Sequence, residues 1–278
     1  MEKTLKKIEE NWKDTEFLFQ PHKDSGVHMM RLSEENFDML EENQVQITAM
    51  SSNKYQATFE EKISYWNKSL GNIDEVYRVV GEVFRSWSFL ENLFIHSDEV
   101  KKELPKESAQ FVGIDKEVRD IFADGFAKKK AITFCTQDKV LTRLEEVQKQ
   151  LTVCEKALHE FMESKRIAFP RFYFVSTQDL LDILSNGNAP AKVMVHMTKI
   201  IAAVDTLDLL EEGVRPFAKG IQSAVGKESF LFKNECKLIG KVENYMQSIL
   251  DEMRASLKQI SLESQKKYAE IDKETWIR

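Results

Sequence analysis

The chain has 278 residues, a formal net charge of −6, 31% charged residues, 10 glycines and 5 prolines. So few turn formers against so many charges favour a helical solution over a sheet-rich one, and the acidic balance argues against a nucleic-acid partner held by phosphate neutralisation. The longest apolar runs fall far short of the ~20 residues a membrane span needs, no signal-peptide pattern opens the chain, and three widely spaced cysteines, Cys135, Cys154 and Cys236, fit free thiols in a reducing compartment.

Leu5, Ile8 and Trp12 fall on one face of a first predicted helix. Phe17 and Phe19 then alternate with polar neighbours, residues 21–26 carry turn formers, and 27–32 make a second short run, which together read as a hairpin. Ser33 starts a helix expected to reach about residue 50, with Phe37, Leu40 and Val45 on its apolar side. Two further helices, 51–70 and 73–95, are expected to part at Gly71-Asn72. Ser97 caps a short helix ending at Leu104-Pro105, and 108–129 is helical by Phe111, Ile114, Val118, Ile121 and Phe122. Lys128-Lys129-Lys130 is a compact basic run that reads as a solvated loop or helix end.

The clearest periodicity spans 138–166, where Leu141, Leu144, Val147, Leu151, Cys154, Leu158 and Phe161 recur at three- and four-residue steps. It predicts one helix of roughly 28 residues, about 40 Å long. That helix runs into Lys165-Arg166 and breaks at Phe169-Pro170, because proline has no amide hydrogen and pushes its predecessor out of the α region. The aromatic run 171–175 is expected as an extended, largely buried segment. Ser176 with Asp179 signals a new helix that carries Leu180, Leu181, Ile183 and Leu184 inward until Asn186-Gly187-Asn188 ends it.

Residues 191–210 read as helix again, closed by Glu211-Glu212-Gly213. In 217–233 the character changes: Ile221, a Gly226-Lys227 turn, then Phe230 and Phe232 in alternation mark a second hairpin. Leu238, Val242, Tyr245, Ile249, Met253, Leu257 and Ile260 define a final long helix. With no obvious repeat and no low-complexity linker, the expected fold is mainly α, an elongated stack of helical bundles with one or two short β-hairpins, divided into 1–166 and 167–278 with the second hairpin near 218–233.

Chemistry is sparse in this pattern. GIQSAVGKE, residues 220–228, is the nearest approach to a phosphate loop, but five residues separate its glycines and Glu228 follows Lys227 where a hydroxyl is needed. The segment is read as a hairpin turn. His22, His28, His96, His159 and His196 sit neither in H-E-x-x-H nor at ligand spacing from a cysteine. A cysteine–histidine pair assembled in space is a question of geometry that spacing does not address. Carboxylate pairs such as Glu145-Glu146 and Asp251-Glu252 lie on helix faces, as solvated charges do, and Trp12, Trp66 and Trp87 fall on apolar stripes, as core residues do. No catalytic, cofactor-binding or metal-ligating residue is assigned; Trp276 is a candidate anchor near the end.

The stretch KRIAFPRFYFVSTQDLLDILSNGN, residues 165–188, resembles the linker of dynein heavy chains, and is most similar to axonemal, outer-arm-like heavy chains. Residues 12–26 (WKDTEFLFQPHKDSG), 87–105 (WSFLENLFIHSDEVKKELP) and 240–278, ending KETWIR, agree in the same order, so the resemblance spans nearly the whole chain. It implies a linker-type helical rod lying across a ring of AAA+ modules, bent and straightened by nucleotide changes in that ring. It further implies the ring-proximal part of the linker, with more linker and tail before it and the first AAA+ module after it. The implied partners are the AAA+ ring of the same heavy chain and, through the rest of the motor, other dynein subunits and microtubules, with no nucleic acid and no membrane. The implied location is cytoskeletal, in the axoneme of a cilium or flagellum, with no cofactor and no catalysis in this segment.

By the same resemblance the second hairpin is similar to one that projects toward the ring, making Ile221, Ser223, Gly226, Lys227, Glu228 and Phe230 candidate ring contacts. The break at Phe169, Pro170, Arg171, Phe172 and Tyr173 is a candidate bending point, or a wedge between two bundles. A free-standing helical scaffold or tether is the competing reading. It offers no reason for the PRFYF break and would show a repeat period.

Overall fold

A computed structural model of the chain describes residues 1–23, 25–52, 56–212 and 215–277. They form two compact units, Met1–Ala157 and Leu158–Arg278. Both are mainly helical, and each carries one small antiparallel sheet.

In the first unit, α1 (Glu2–Asp14) buries Leu5, Ile8 and Trp12, the residues its spacing places on one face. A hairpin follows, β1 (Leu18–Pro21) against β2 (His28–Arg31), with Phe19 opposite Met30. Helix α2 (Glu34–Ser51) starts where Ser33 Oγ accepts the amide hydrogen of Asn36 at 3.2 Å. Its buried face is Leu40, Asn43, Ile47 and Met50, whereas Val45 is 69% exposed and Phe37 lies at the surface. The expected apolar side was therefore wrong at Phe37 and Val45. A buried asparagine hides the true stripe, and its amide is satisfied locally by Met39 O at 2.6 Å.

Helix α3 (Glu60–His96) is continuous through Gly71-Asn72, where two helices were expected. A helical glycine costs ~1 kcal/mol, but Leu70 and Ile73 on either side are fully buried, and each fully buried aliphatic side chain contributes about 1.5–3 kcal/mol. Packing wins. α4 (Asp98–Glu103) is capped by Ser97, and α5 (Pro105–Lys128) begins on Pro105, whose missing amide hydrogen has no helical partner to lose. α6 (Ala131–Cys135) and the first turns of α7 (Val140–Ala168) complete the unit. The lysine run ends α5: Lys129 has φ 59°, its carbonyl accepts from Phe17 N, and Lys130 bridges to Glu16. Helices α2, α5 and α6 pack on α3, with Phe94 stacked on Phe111 at 5.2 Å.

The turn of the hairpin is fastened by a polar cluster. Arg119 donates through Nη2 to Glu91 Oε1 at 2.6 Å, through Nε to Asp115 Oδ2 at 2.8 Å, and through Nη1 to the Ser25 carbonyl at 2.5 Å. Trp87 Nε1 donates to Asp115 at 2.9 Å, and the guanidinium lies 5.5 Å from the Trp87 ring. The carboxylates hold the Arg119 pKa above its ordinary value, the Asp115 hydrogen bond being the largest cause.

In the second unit the end of α7 leads into a 3-10 turn at Pro170–Phe174, then α8 (Thr177–Ser185), α9 (Pro190–Val193), a 3-10 turn at Met194–His196 and α10 (Met197–Ile200). Strands β3 (Val204–Glu212), β4 (Arg215–Ser223) and β5 (Ser229–Lys237) form an antiparallel sheet in that order. α11 (Val242–Glu270) packs on β5, and α12 (Lys273–Ile277) folds back on α11.

The helix expected over 191–210 is corrected: helical structure stops at Ile200, Ala203 turns the chain at φ 69°, and β3 begins at Val204. Val204 and Leu207 are buried while Asp205, Thr206 and Asp208 are exposed, and a neighbouring β4 supplies the ladder that local propensity cannot foresee. What was expected as a two-stranded hairpin is thus a three-stranded sheet. The aromatic run is corrected too, from extended to 3-10. Phe169, Phe172 and Val175 are buried whereas Tyr173 is 54% and Phe174 76% exposed, the three-residue period of a 3-10 turn.

Candidate functional site

The first set of candidate residues forms the free end of the three-stranded sheet. Leu207, Ile221 and Phe230 stand opposite one another across the strands, so their side chains share one face. Ile221 is 8% exposed, and Phe230 meets Phe232 edge to face at 6.1 Å. Beyond them the loop closes where Ser223 N donates to Glu228 O at 2.7 Å. Ser223 Oγ accepts from Val225 N at 3.2 Å, and Gly226 and Lys227 take φ of 76° and 51°. Gly226, Lys227 and Glu228 are exposed, as is Val225 at 80%. Leu231 is 70% exposed on the opposite sheet face. The tip therefore offers two bare aliphatic side chains beside one cation and one carboxylate.

Gly220 is indispensable to this geometry. A Cβ there would lie 2.5 Å from the Phe230 carbonyl oxygen, closer than any real contact, at the place where the β4–β5 register shifts between Ala218 and Gly220. The first glycine of GIQSAVGKE serves close strand approach and not phosphate binding. β5 is held to α11 by Lys233 N donating to Ser256 Oγ at 2.9 Å and Asn234 N to Glu252 Oε1 at 2.8 Å.

The second set sits where α7 ends. Phe169 and Phe172 are wholly buried, ring edge to ring face at 4.9 Å, and Pro170 starts the 3-10 turn. Arg171 Nη1 reaches the Ile200 carbonyl at 3.4 Å, and Tyr173 hydrogen-bonds the Glu163 carboxylate, which raises the phenol's pKa. The 3-10 turn packs on α10, and α10 packs on β3. One short helix thus lies between the break and the sheet, and it was hidden within the longer helix expected there.

Other residues of this neighbourhood carry no sequence signal. Lys165 and Glu243, 78 positions apart, form a buried ion pair at 2.8 Å, with side chains 6% and 7% exposed. Tyr245 donates to Gly187 O at 3.1 Å, and burial first, then the Glu243 charge, pushes its pKa up. His196 bridges two aspartates of α8, with Nε2 2.7 Å from Asp182 and Nδ1 3.4 Å from Asp179. A hydrogen bond from Lys199, then one from Ser176, holds the Asp179 carboxyl below its ordinary range.

The thiols are poor nucleophiles as placed. Burial is the main cause that pushes Cys154 and Cys236 up to about 11 and Cys135 further still, and only a thiolate attacks or binds metal. Among the described residues, no group of three or more His, Cys, Asp or Glu side chains is placed to hold a metal ion, and no helix is long and apolar enough to cross a membrane.

Fold and site together define a helix-built structural element with a short sheet ending in an exposed tip. Its family is shown by comparison: the chain matches the family described as dynein heavy chain, N-terminal region 2, over residues 1–264, and belongs to it. It is 42% identical over 281 residues to the dynein alpha chain of the flagellar outer arm from Chlamydomonas reinhardtii. It is also 37% identical over 279 residues to dynein axonemal heavy chain 17 from Homo sapiens, and 36% over 280 residues to the ciliary dynein beta chain from Heliocidaris crassispina. Each match covers 100% of this chain and 6% of the relative, so the chain spans a small part of their length.

Proposed function

We propose that this chain is the ring-proximal part of the linker of an axonemal dynein heavy chain. In this reading it is a mechanical element that bends and straightens across an AAA+ ring, while ATP hydrolysis belongs to modules outside it. The observation that carries the reading is family membership running unbroken over residues 1–264. The exposed sheet tip, with Val225 and Leu231 bare beside Lys227 and Glu228, supports a contact role for Gly226, Lys227 and Glu228, flanked by the half-buried Ser223 and Phe230, while Ile221 is buried beneath them. Differential docking of such a tip in two states is what lets nucleotide changes bias a lever's position. The buried Phe169–Phe172 contact supports a wedge role for the break, the alternative being a bending point at which helices repack. Relatives named as flagellar, ciliary and axonemal support placement in an axoneme, with the AAA+ ring, other dynein subunits and microtubules as partners of the whole motor.

The test is made in the full-length heavy chain. Replacing residues 223–228 with a minimal two-residue turn should slow microtubule gliding while leaving the isolated chain's circular dichroism and melting unchanged. Unaltered gliding velocity with unaltered coupling of ATPase to motion would sink the contact role of the tip.

A further inference from the structure

Away from the candidate site, the first unit carries a hollow of about 490 Å³ between the end of β2, the start of α2 and the middle of α3. Three arginines line it, Arg31, Arg78 and Arg85, in a chain whose net charge is −6. Arg78 is paired with Glu82 at 3.2 Å, and Glu82 also accepts from Gln148. Arg31 and Arg85 are exposed and make no ion pair among the described residues. Glu34, also in the lining, stands in the first turn of α2, where a carboxylate complements the helix dipole.

The floor has a definite shape. A Cβ at Gly81 would come 3.8 Å from Arg85 Nη1, so the guanidinium lies back over the bare backbone of α3. Beside it the Phe37 and Tyr77 rings meet at 6.1 Å and form an apolar wall; Phe37 is 36% exposed. Arg78 and Arg85 are two helical turns apart, about 10 Å along the axis.

We propose that this hollow is a docking groove for an acidic peptide segment of a partner protein, entered in extended form. Carboxylates of the segment pair with the forked guanidiniums of Arg31 and Arg85, and one aromatic or large aliphatic side chain between them packs on Phe37 and Tyr77. Charge complementarity favours this occupant: the three arginines of the lining outnumber its carboxylates, Glu34 and Glu82, and Arg31 and Arg85 make no ion pair among the described residues. The proposal does not depend on the linker reading.

The probe is a fluorescein-labelled peptide, Asp-Glu-Phe-Asp-Glu, titrated with the purified chain by fluorescence anisotropy. Saturable binding that weakens with salt is expected, with affinity falling about tenfold in Arg85→Glu and again in Arg31→Glu. A peptide with lysine in place of each acidic residue should bind the doubly reversed variant and not the original chain. Both arginines are exposed, so the variants should keep the parent circular dichroism; Arg31→Gln and Arg85→Gln serve if charge reversal prevents folding. Equal affinity in the variants, or equal binding of the peptide with Asn and Gln at its acidic positions, overturns the proposal. Full competition by millimolar inorganic phosphate, or binding to phosphatidylserine vesicles without binding to the peptide, overturns it too.

Discussion

Replacing Arg119 by methionine tests what fastens the turn of the first hairpin to α3 and α5. The substitution keeps the aliphatic bulk and deletes three donors: those 2.6 Å from Glu91, 2.8 Å from Asp115 and 2.5 Å from the Ser25 carbonyl. Glu91, with its side chain 9% exposed, then keeps His22 Nε2, at 3.5 Å, as its ion-pair partner among the described residues. Removing one partner of a buried pair costs ~3–5 kcal/mol. Because the Arg119 side chain is 34% exposed and water reaches it, the lower end, about 3 kcal/mol, is expected. For a unit of roughly 150 residues that is a fall of about 6–12 °C in Tm. Urea unfolding followed by tryptophan fluorescence measures it, since Trp87 lies within the cluster. Glu91→Gln and the double variant close the cycle, and the double should recover about 1–3 kcal/mol relative to additivity. An Arg119→Met loss below about 1 kcal/mol, or strict additivity, would refute the claim that this cluster holds the turn.

Three further outcomes follow from the second unit and the thiols. Gly220→Ala places a Cβ 2.5 Å from the Phe230 carbonyl oxygen, so β4 and β5 must separate; a loss of about 1–3 kcal/mol is expected in a thermal or urea melt, and a change within ~0.5 kcal/mol contradicts the assigned register. Cys154 and Cys236 are raised from 9.0 to about 11 in the folded chain, chiefly by burial. Folded thiols then hold their protons where unfolded ones lose them, so their contribution is intact below about pH 9 and is lost as pH rises toward 11. Native labelling by a thiol reagent at pH 8 should be slow for all three cysteines and rapid in guanidinium chloride; a fast native phase contradicts their placement.

Much of the architecture was legible because the relevant signals are local. The stripe from Leu144 to Phe161, the caps at Ser33, Ser97 and Ser176, and the one-face set Leu5, Ile8 and Trp12 all appear where their spacing put them. The candidate tip at Gly226-Lys227 was legible for the same reason, since a turn with positive φ is a property of a few adjacent residues. Val225 and Leu231 gave no such signal. An exposed aliphatic residue differs from a buried one only in what stands opposite it.

The errors share one physical cause. Gly71 reads as a break because its propensity cost is local, whereas the burial of Leu70 and Ile73 that outweighs it comes from other helices. Residues 204–210 read as helix because leucines tolerate either state, and β4 alone makes them a strand. Composition, periodicity and capping thus determined a mainly helical chain and the course of α7 and α11, while the motifs at 12–26, 87–105, 165–188 and 240–278 carried its resemblance to dynein heavy chains. The third strand, the 3-10 turn at Pro170–Phe174, the closeness enforced at Gly220, and the Lys165–Glu243 and Arg119–Glu91 pairs were decided only in the tertiary structure. Such partners lie far apart along the chain, and the energy that selects them exists only once burial has removed the water between them.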